Sequence, residues 1–260
     1  MSKGEQKDDG RVTKQDQYFS ANPQSEDQRR TLQVTLRGHE VTVTVSNGVF
    51  SSGRLDLGTS VLLRHAPQPP TDGTFLDLGC GWGPIALTLA LESPDASVHA
   101  LDINERAVSL TTENAKNNQC SNIQAWSSQE LPDELRFDLI WSNPPIRVGK
   151  EALHNLLMTY LQRLNPGGQA YLVVQKNLGA DSLIPWLYNT LNASRLLSQV
   201  PEATPSPNTT PDDLSLWSVE KIASSKGFRI IEVTRPRTAD EEATAHNTVM
   251  PTLIDYQAQN

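Results

Sequence analysis

The sequence predicts an α/β protein built on a mostly parallel, seven-stranded sheet with helices on both faces, preceded by a β-hairpin extension. Three observations carry this. From Thr74 onward short apolar runs alternate with longer helical patterns, as parallel strands joined by crossover helices do. The first run ends in Asp77-Leu78-Gly79-Cys80-Gly81-Trp82-Gly83, where a strand must turn sharply into a helix opened by Pro84. Near the other end, two β-type runs flank Ser224-Ser225-Lys226-Gly227 and read as an antiparallel hairpin closing the sheet.

Taken in order, residues 1–30 are polar and charged, and this arm is expected to be mobile apart from Tyr18 and Phe19, which can dock on the core. Leu32, Val34 and Leu36, then Val41, Val43 and Val45, alternate with polar residues around Arg37-Gly38-His39. That is a hairpin with one buried face. With a helix over 57–65 it forms an extension spanning 31–70. The main domain, 71–235, follows with strands at 74–78, 97–102, 123–126, 137–142 and 169–175. Helices are expected at 84–92, 105–117, 150–164 and 180–190, Asn104 capping the second and Asn165-Pro166-Gly167-Gly168 stopping the third. The proline-rich stretch 192–213 reads as a long surface loop, and 236–260 as a polar tail.

Composition excludes several classes of function. A formal net charge of −8 in 260 residues argues against a protein that holds free nucleic acid by bulk electrostatics. Cys80 and Cys120 have no partner spacing for a zinc site or a disulfide framework, so no metal is expected and a reducing, cytoplasmic setting fits. No run approaches the roughly 18 apolar residues of a membrane span, and the first residues lack an apolar signal core.

The glycine-rich turn is a ligand site by its chemistry. Glycines let the backbone approach a ligand, and a helix start offers amides to it. Gly81, Gly83 and Ala86, with Asp102 about 20 residues on, also satisfy a relaxed dinucleotide fingerprint. Asp77, at the strand's carboxyl end, points the other way, because a carboxylate there would welcome an ammonium and repel a pyrophosphate. The second informative stretch is Asn143-Pro144-Pro145-Ile146, at the end of the strand 137–142. Ligands of open α/β sheets lie beyond the carboxyl ends of the strands, so both stretches should face one crevice. An amine conjugated to a ring is a poor nucleophile. The Asn143 side-chain oxygen and a backbone carbonyl, held rigid by two prolines, can accept its protons and aim its lone pair.

Asp-x-Gly-x-Gly-x-Gly resembles motif I of class I S-adenosylmethionine (SAM) methyltransferases, and Asn-Pro-Pro-Ile is similar to motif IV of those that act on amino groups. Gly48-Val49-Phe50-Ser51, Leu55-Asp56-Leu57-Gly58-Thr59, Arg147-x-Gly149-Lys150 with His154, Val174-Gln175-Lys176 and Lys226-Gly227-Phe228-Arg229 extend the likeness to the methyltransferase-small family, over about 18–235. That family includes guanine-N2 methyltransferases of small-subunit ribosomal RNA. The resemblance implies a Rossmann-like SAM methyltransferase fold and SAM as cofactor, held by Asp77, Gly79, Cys80, Gly81, Gly83 and Asn143. It further implies Asp102 on the ribose hydroxyls, Ile103 beside the adenine, Phe50 and Thr59 closing over the cofactor, and Ser127 near the adenine. Ser127 and Ser128 stand where many relatives carry an acid, and Ile146 replaces the usual aromatic. Asn143, Pro144, Pro145 and Ile146 become the catalytic tetrapeptide, and Arg147, Lys150 and Lys176, with Arg37 and Lys226, a basic rim for RNA.

The expected acceptor is thus the N2 amine of a guanine in small-subunit ribosomal RNA, met in a structured particle. Glutamine or adenine-N6 methylation would use the same tetrapeptide. An NAD-dependent oxidoreductase and a non-catalytic ribosome assembly factor are the alternatives of other classes.

Overall fold

The computed structural model describes residues 26–51, 53–198 and 216–237. Tyr18, Phe19, most of the 192–213 stretch and the tail from 238 lie outside the described residues. Two strands open the chain, β1 (Arg29–Leu36) and β2 (His39–Ser46), followed by helix α1 (Leu57–His65). The main sheet then runs β3 (Thr74–Leu78), α2 (Pro84–Glu92), β4 (Ser97–Asp102), α3 (Glu105–Asn117), β5 (Ile123–Ser127), β6 (Phe137–Ser142), α4 (Lys150–Leu161), β7 (Leu164–Gln175), α5 (Ala180–Ser198), β8 (Ser218–Ser225) and β9 (Phe228–Thr234). The seven-stranded order is β5-β4-β3-β6-β7-β9-β8, with β3 to β7 parallel and β9 antiparallel to both neighbours.

Side-chain alternation divides the core between two faces. Phe75, Leu139, Trp141 and Val173 point toward α1, α2, α3 and the hairpin, while Leu76, Leu78, Ile140 and Leu172 point toward α4 and α5. This is the doubly wound Rossmann-like arrangement. From β3 the chain winds outward through β4 to β5, then returns to place β6 on the other side of β3. That reversal opens a crevice at the carboxyl ends of β3 and β6. Register fixes what meets there: Leu78 pairs with Ser142, so Gly79 and Asn143 emerge side by side.

The hairpin is a separate two-stranded sheet fastened to α3 by two asparagines one helical turn apart. Asn114 accepts from the Thr44 amide and donates to the carbonyls of Thr44 and Trp82, and Asn118 makes the corresponding pair of bonds with Thr42. A strand edge that would otherwise be unpaired is satisfied by side-chain amides. Arg37 at the hairpin turn pairs with Glu92 at 2.7 Å and donates to the carbonyls of Leu63 and Ala66. It clasps the hairpin to α1 and α2, and so does not serve the basic rim expected of it.

Three element boundaries differ from expectation by three residues or more: the end of α4, the start of β7 at Leu164 instead of 169, and the end of α5. Helix α4 stops at Leu161 instead of reaching 164, because the Arg163 carbonyl accepts from the Phe137 amide and Leu164 already pairs with Phe137 as the first residue of β7. The Arg163 guanidinium holds this turn by donating to the carbonyls of Leu135 and Pro132. Helix α5 continues to Ser198, past the expected end at 190, and Asn192 explains part of the extension: its buried amide bonds both backbone groups of Trp217 at the start of the closing hairpin.

Candidate active site

The cleft at the β3–β6 reversal is lined by Phe50, Ser51, Asp56, Thr59, Gly79 to Trp82, Pro84, Ile85 and Asn143. Gly79 and Gly81 take positive φ angles of 83° and 58°. A Cβ on Gly79 would stand 4.0 Å from the Asn143 carbonyl and from Pro145, and one on Gly81 would stand 4.0 Å from the Phe50 carbonyl. Such side chains would fill the cradle between the loop and the segments above it. Glycine is required there both by backbone conformation and by the ligand space.

Five amides of this turn and helix start are engaged with protein, while those of Trp82 and Ile85, both at the cleft, have no protein partner among the described residues and are left for a ligand, as expected of a helix start. Those of Gly79 and Cys80 donate to the Leu101 carbonyl, that of Gly83 to Cys80, that of Gly81 to Asp102 and that of Ala86 to Asp77, while Pro84 has none. A pyrophosphate would meet few free amides and a cluster of acids, which disfavours it. The charged side chains at the site, Asp56, Asp77 and Asp102, are acidic. Their chemistry suits a cationic ligand carrying a sulfonium and an ammonium.

Asp77 is fully buried under the turn; one carboxylate oxygen holds the Ala86 amide at 2.9 Å and the other has no partner. An orphaned buried acceptor is costly unless protonated or met by a cation. Burial pushes its carboxyl up to about 8, the Ala86 amide opposing and the charge of Asp102 adding to the rise. The unfolded chain loses this proton near 3.8, so between about pH 4 and pH 8 the folded state binds more protons and stability falls as pH rises. The penalty is absent below that window and complete above it. Asp77→Asn keeps an acceptor for Ala86 and removes the charge, and it is expected to flatten the slope by up to about 1.4 kcal/mol per pH unit. Urea unfolding of the ligand-free protein across the window checks this, and an unchanged slope would place the proton elsewhere.

Asp102 ends β4 with both oxygens in use, one on the Gly81 amide and one on that of Asn104, each at 2.9 Å. It ties the glycine turn to the next strand. Burial raises its carboxyl above the ordinary range, and the amides of Asn104, Gly81 and Ile103 pull the other way. Ile103 beside it is 50% exposed and free to meet a flat ring. Asn104 caps α3 through its side-chain oxygen and donates to the Gly48 carbonyl, while Arg106 donates to that of Asn47. These bonds anchor the 47–51 segment, so that Phe50, 47% exposed, stands at the cleft.

Ser127 pairs with Asp102 across β5 and β4, outside the cleft lining. Its hydroxyl and amide both bond the Glu130 carboxylate, at 2.7 and 3.3 Å. The acid missing from 127 and 128 is thus brought to this strand end by Glu130, which sequence reading overlooked. The Cys80 thiol is buried against Thr111, and burial pushes it far above its ordinary value.

Asn143 reaches into the cleft with its orientation set by two residues of the extension. Its amide nitrogen donates to Asp56 Oδ2 at 2.8 Å and to Thr59 Oγ1 at 3.0 Å. The Asn143 Oδ1 is left as an acceptor. Thr59, expected over the cofactor, lines the cleft and also holds Asn143, and Asp56, absent from the sequence-derived set, lines the cleft beside it. Pro144 and Pro145 follow, the Pro144 carbonyl accepting from Ile146 at 2.8 Å with a lone pair to spare, and Ile146 opens a short 3-10 turn before α4. Lys150, Lys176 and Lys226 are exposed. The Arg147 side chain lies outside the described part of the structure. His154 stacks on Trp186 at 3.4 Å and 15° between the starts of α4 and α5.

Among the described residues no group of three or more metal-ligating side chains gathers, and no helix is long and apolar enough to cross a membrane. Comparison with known proteins agrees with this geometry. The family model described as methyltransferase small domain matches residues 40–200. The uncharacterized protein YbxB of Bacillus subtilis is 36% identical over 170 residues, which cover 64% of this chain and 85% of that one. Ribosomal RNA small subunit methyltransferase C of Pseudomonas putida is 36% identical over 159 residues, covering 59% of this chain and 47% of its own. The chain therefore spans about half the length of that curated relative. The T. thermophilus 16S rRNA N2 G1207 methyltransferase, solved with AdoMet and guanosine, superposes with a TM-score of 0.62 at 23% identity over 80% of this chain and 50% of its own, which shows the shared fold. With a glycine cradle suited to a cation, an Asn-Pro-Pro tetrapeptide beside it and a family match over most of the described residues, the chain belongs to the methyltransferase small domain family of SAM-dependent enzymes.

Proposed function

We propose that the protein methylates the N2 amine of a guanine in small-subunit ribosomal RNA. The observation that carries this reading is the Asn143 amide, whose nitrogen is held by Asp56 and Thr59 so that its oxygen is presented beside the glycine turn. Bound SAM supplies an electrophilic methyl group on a sulfonium. The turn from Gly79 to Gly81, Asp102 and Ile103 would hold the nucleoside part, and the buried Asp77, protonated up to about pH 8 in the ligand-free fold, would give up its proton as the ammonium of the amino-acid part arrives.

An exocyclic amine entering the cleft would donate its two N–H groups to Asn143 Oδ1 and to the Pro144 carbonyl, turning its lone pair toward the methyl group. The nitrogen–carbon bond forms as the carbon–sulfur bond breaks, and one amine proton leaves to solvent. Cationic charge is lost in the step, so positioning matters more than charge stabilisation. Ile146 offers an apolar wall to one face of the base, and Lys150, Lys176 and Lys226, with Arg147, would meet RNA phosphates. The acidic chain as a whole suits a structured particle better than naked RNA, because non-specific affinity comes from neutralised phosphates.

The test is incubation with methyl-labelled SAM and, separately, small-subunit particles, free ribosomal RNA and release factors, followed by nucleoside and peptide analysis. Label recovered as N2-methylguanosine, from particles before free RNA, is the expected result. Label in glutamine or N6-methyladenosine would overturn the acceptor, and no label in any arm would overturn the activity.

A further inference from the structure

We infer that Asp56 is a positioning residue for the transfer step: its carboxylate admits one orientation of the Asn143 amide, with the oxygen facing the acceptor amine. This rests on the methyl-transfer reading above. An amide flipped by half a turn would set Asn143 Oδ1 against Asp56 Oδ2 at the 2.8 Å now occupied by a hydrogen bond, whereas the Thr59 hydroxyl could turn to donate to either form, so the choice rests on Asp56. Two acceptors with no hydrogen between them repel, so the flipped form is emptied. Asp56 is itself fixed, because it caps α1 by accepting from the Thr59 amide at 3.1 Å.

The packing beneath leaves no latitude. A Cβ at Gly58 would lie 3.0 Å from Asp56 Oδ2, 3.0 Å from Phe228 and 3.2 Å from the Asn143 amide nitrogen. The absence of a side chain at 58 is what lets Asp56 and Asn143 meet. A charged acceptor behind the amide also polarises it, strengthening Oδ1 as an acceptor in front. The extension before the sheet thus contributes to catalysis through Asn143 without touching the reacting atoms.

A plain truncation at 56 would remove the helix cap together with the contact, so Asp56→Ser is the informative variant: serine caps a helix as well as aspartate but is too short to hold Asn143. It is expected to lower kcat at least tenfold, by a larger factor than any fall in SAM affinity and with little change in thermal unfolding, a pattern of lost positioning rather than lost binding. The second arm is a swap. N143D alone sets two carboxylates in contact and is expected to be nearly inactive. Adding D56N restores one amide–carboxylate pair with an oxygen still facing the cleft, and should recover at least about tenfold of the activity, as coupled sites do. A role in the fold alone would not produce that rescue.

A third readout is independent of activity. The side-chain amide protons of Asn143, assigned in nitrogen-15 spectra by their loss in N143A, should exchange slowly in the wild-type protein and rapidly in D56S. Slow exchange lost in D56S supports the inference even if no acceptor is methylated, a result that would sink only the proposed reaction. Unchanged exchange in D56S, full activity in D56S, or failure of D56N to rescue N143D would each overturn it.

Discussion

Asn143→Ala is expected to reduce methyl transfer at least a hundredfold while SAM affinity stays within about threefold, since loss of a near-attack geometry costs about that much in rate and a threefold shift is well under the ~1.4 kcal/mol of a tenfold change in binding. The residue's nitrogen is engaged behind the cleft and its oxygen is the acceptor in front, so truncation removes the group that would align the amine and leaves the glycine turn as it was. Asp56 still caps α1 in the variant through the Thr59 amide. Calorimetric titration with SAM and single-turnover transfer on the same preparation separate the two effects. Full transfer in N143A would remove the tetrapeptide from the chemistry, and a parallel loss of SAM affinity would make Asn143 a cofactor ligand instead.

What was legible in the sequence was whatever the chemistry requires to be contiguous. The glycine turn and Asn143-Pro144-Pro145 could each be read alone, and the alternation of strands and helices set them on neighbouring strands of one sheet. The order β4-β3-β6 that makes them neighbours follows from a general rule of open sheets. Asp56 was not legible as a site residue, because its contact with Asn143 spans 87 positions and nothing local marks it as more than a helix cap. The same holds for Glu130, which supplies from three residues away the acid that 127 and 128 lack. Arg37 misled because exposure was inferred from a turn, whereas its guanidinium reaches back to satisfy the carboxyl end of α1. The end of α4 was misread because Leu164 continues the leucine spacing of the helix; a strand pairing with Phe137 overrode the local pattern.

The engaged amides of the glycine turn lead to the other large effect. Asp102 was expected as a ribose ligand only, yet its two oxygens also fix the Gly81 and Asn104 amides, and through Asn104 the 47–51 segment bearing Phe50. Asp102→Ala should therefore weaken SAM binding by about tenfold to a few hundredfold, because hydrogen bonds to a charged acceptor contribute about 1.5–3 kcal/mol and the cradle loses its tie at the same time. Asp102→Asn keeps an acceptor for one amide and turns a donor toward the other, so an intermediate loss is expected. Since burial raises this carboxyl above the ordinary range, wild-type affinity should begin to fall on acidification at a higher pH than an exposed aspartate would give. The sign follows from the proton: binding uses the ionised form, so affinity is full above the raised value and is lost below it. Titration calorimetry across that range, with D102N showing no such dependence, is the measurement. Affinity in D102A equal to that of the wild type at neutral pH would show that the ribose and the cradle are held without Asp102.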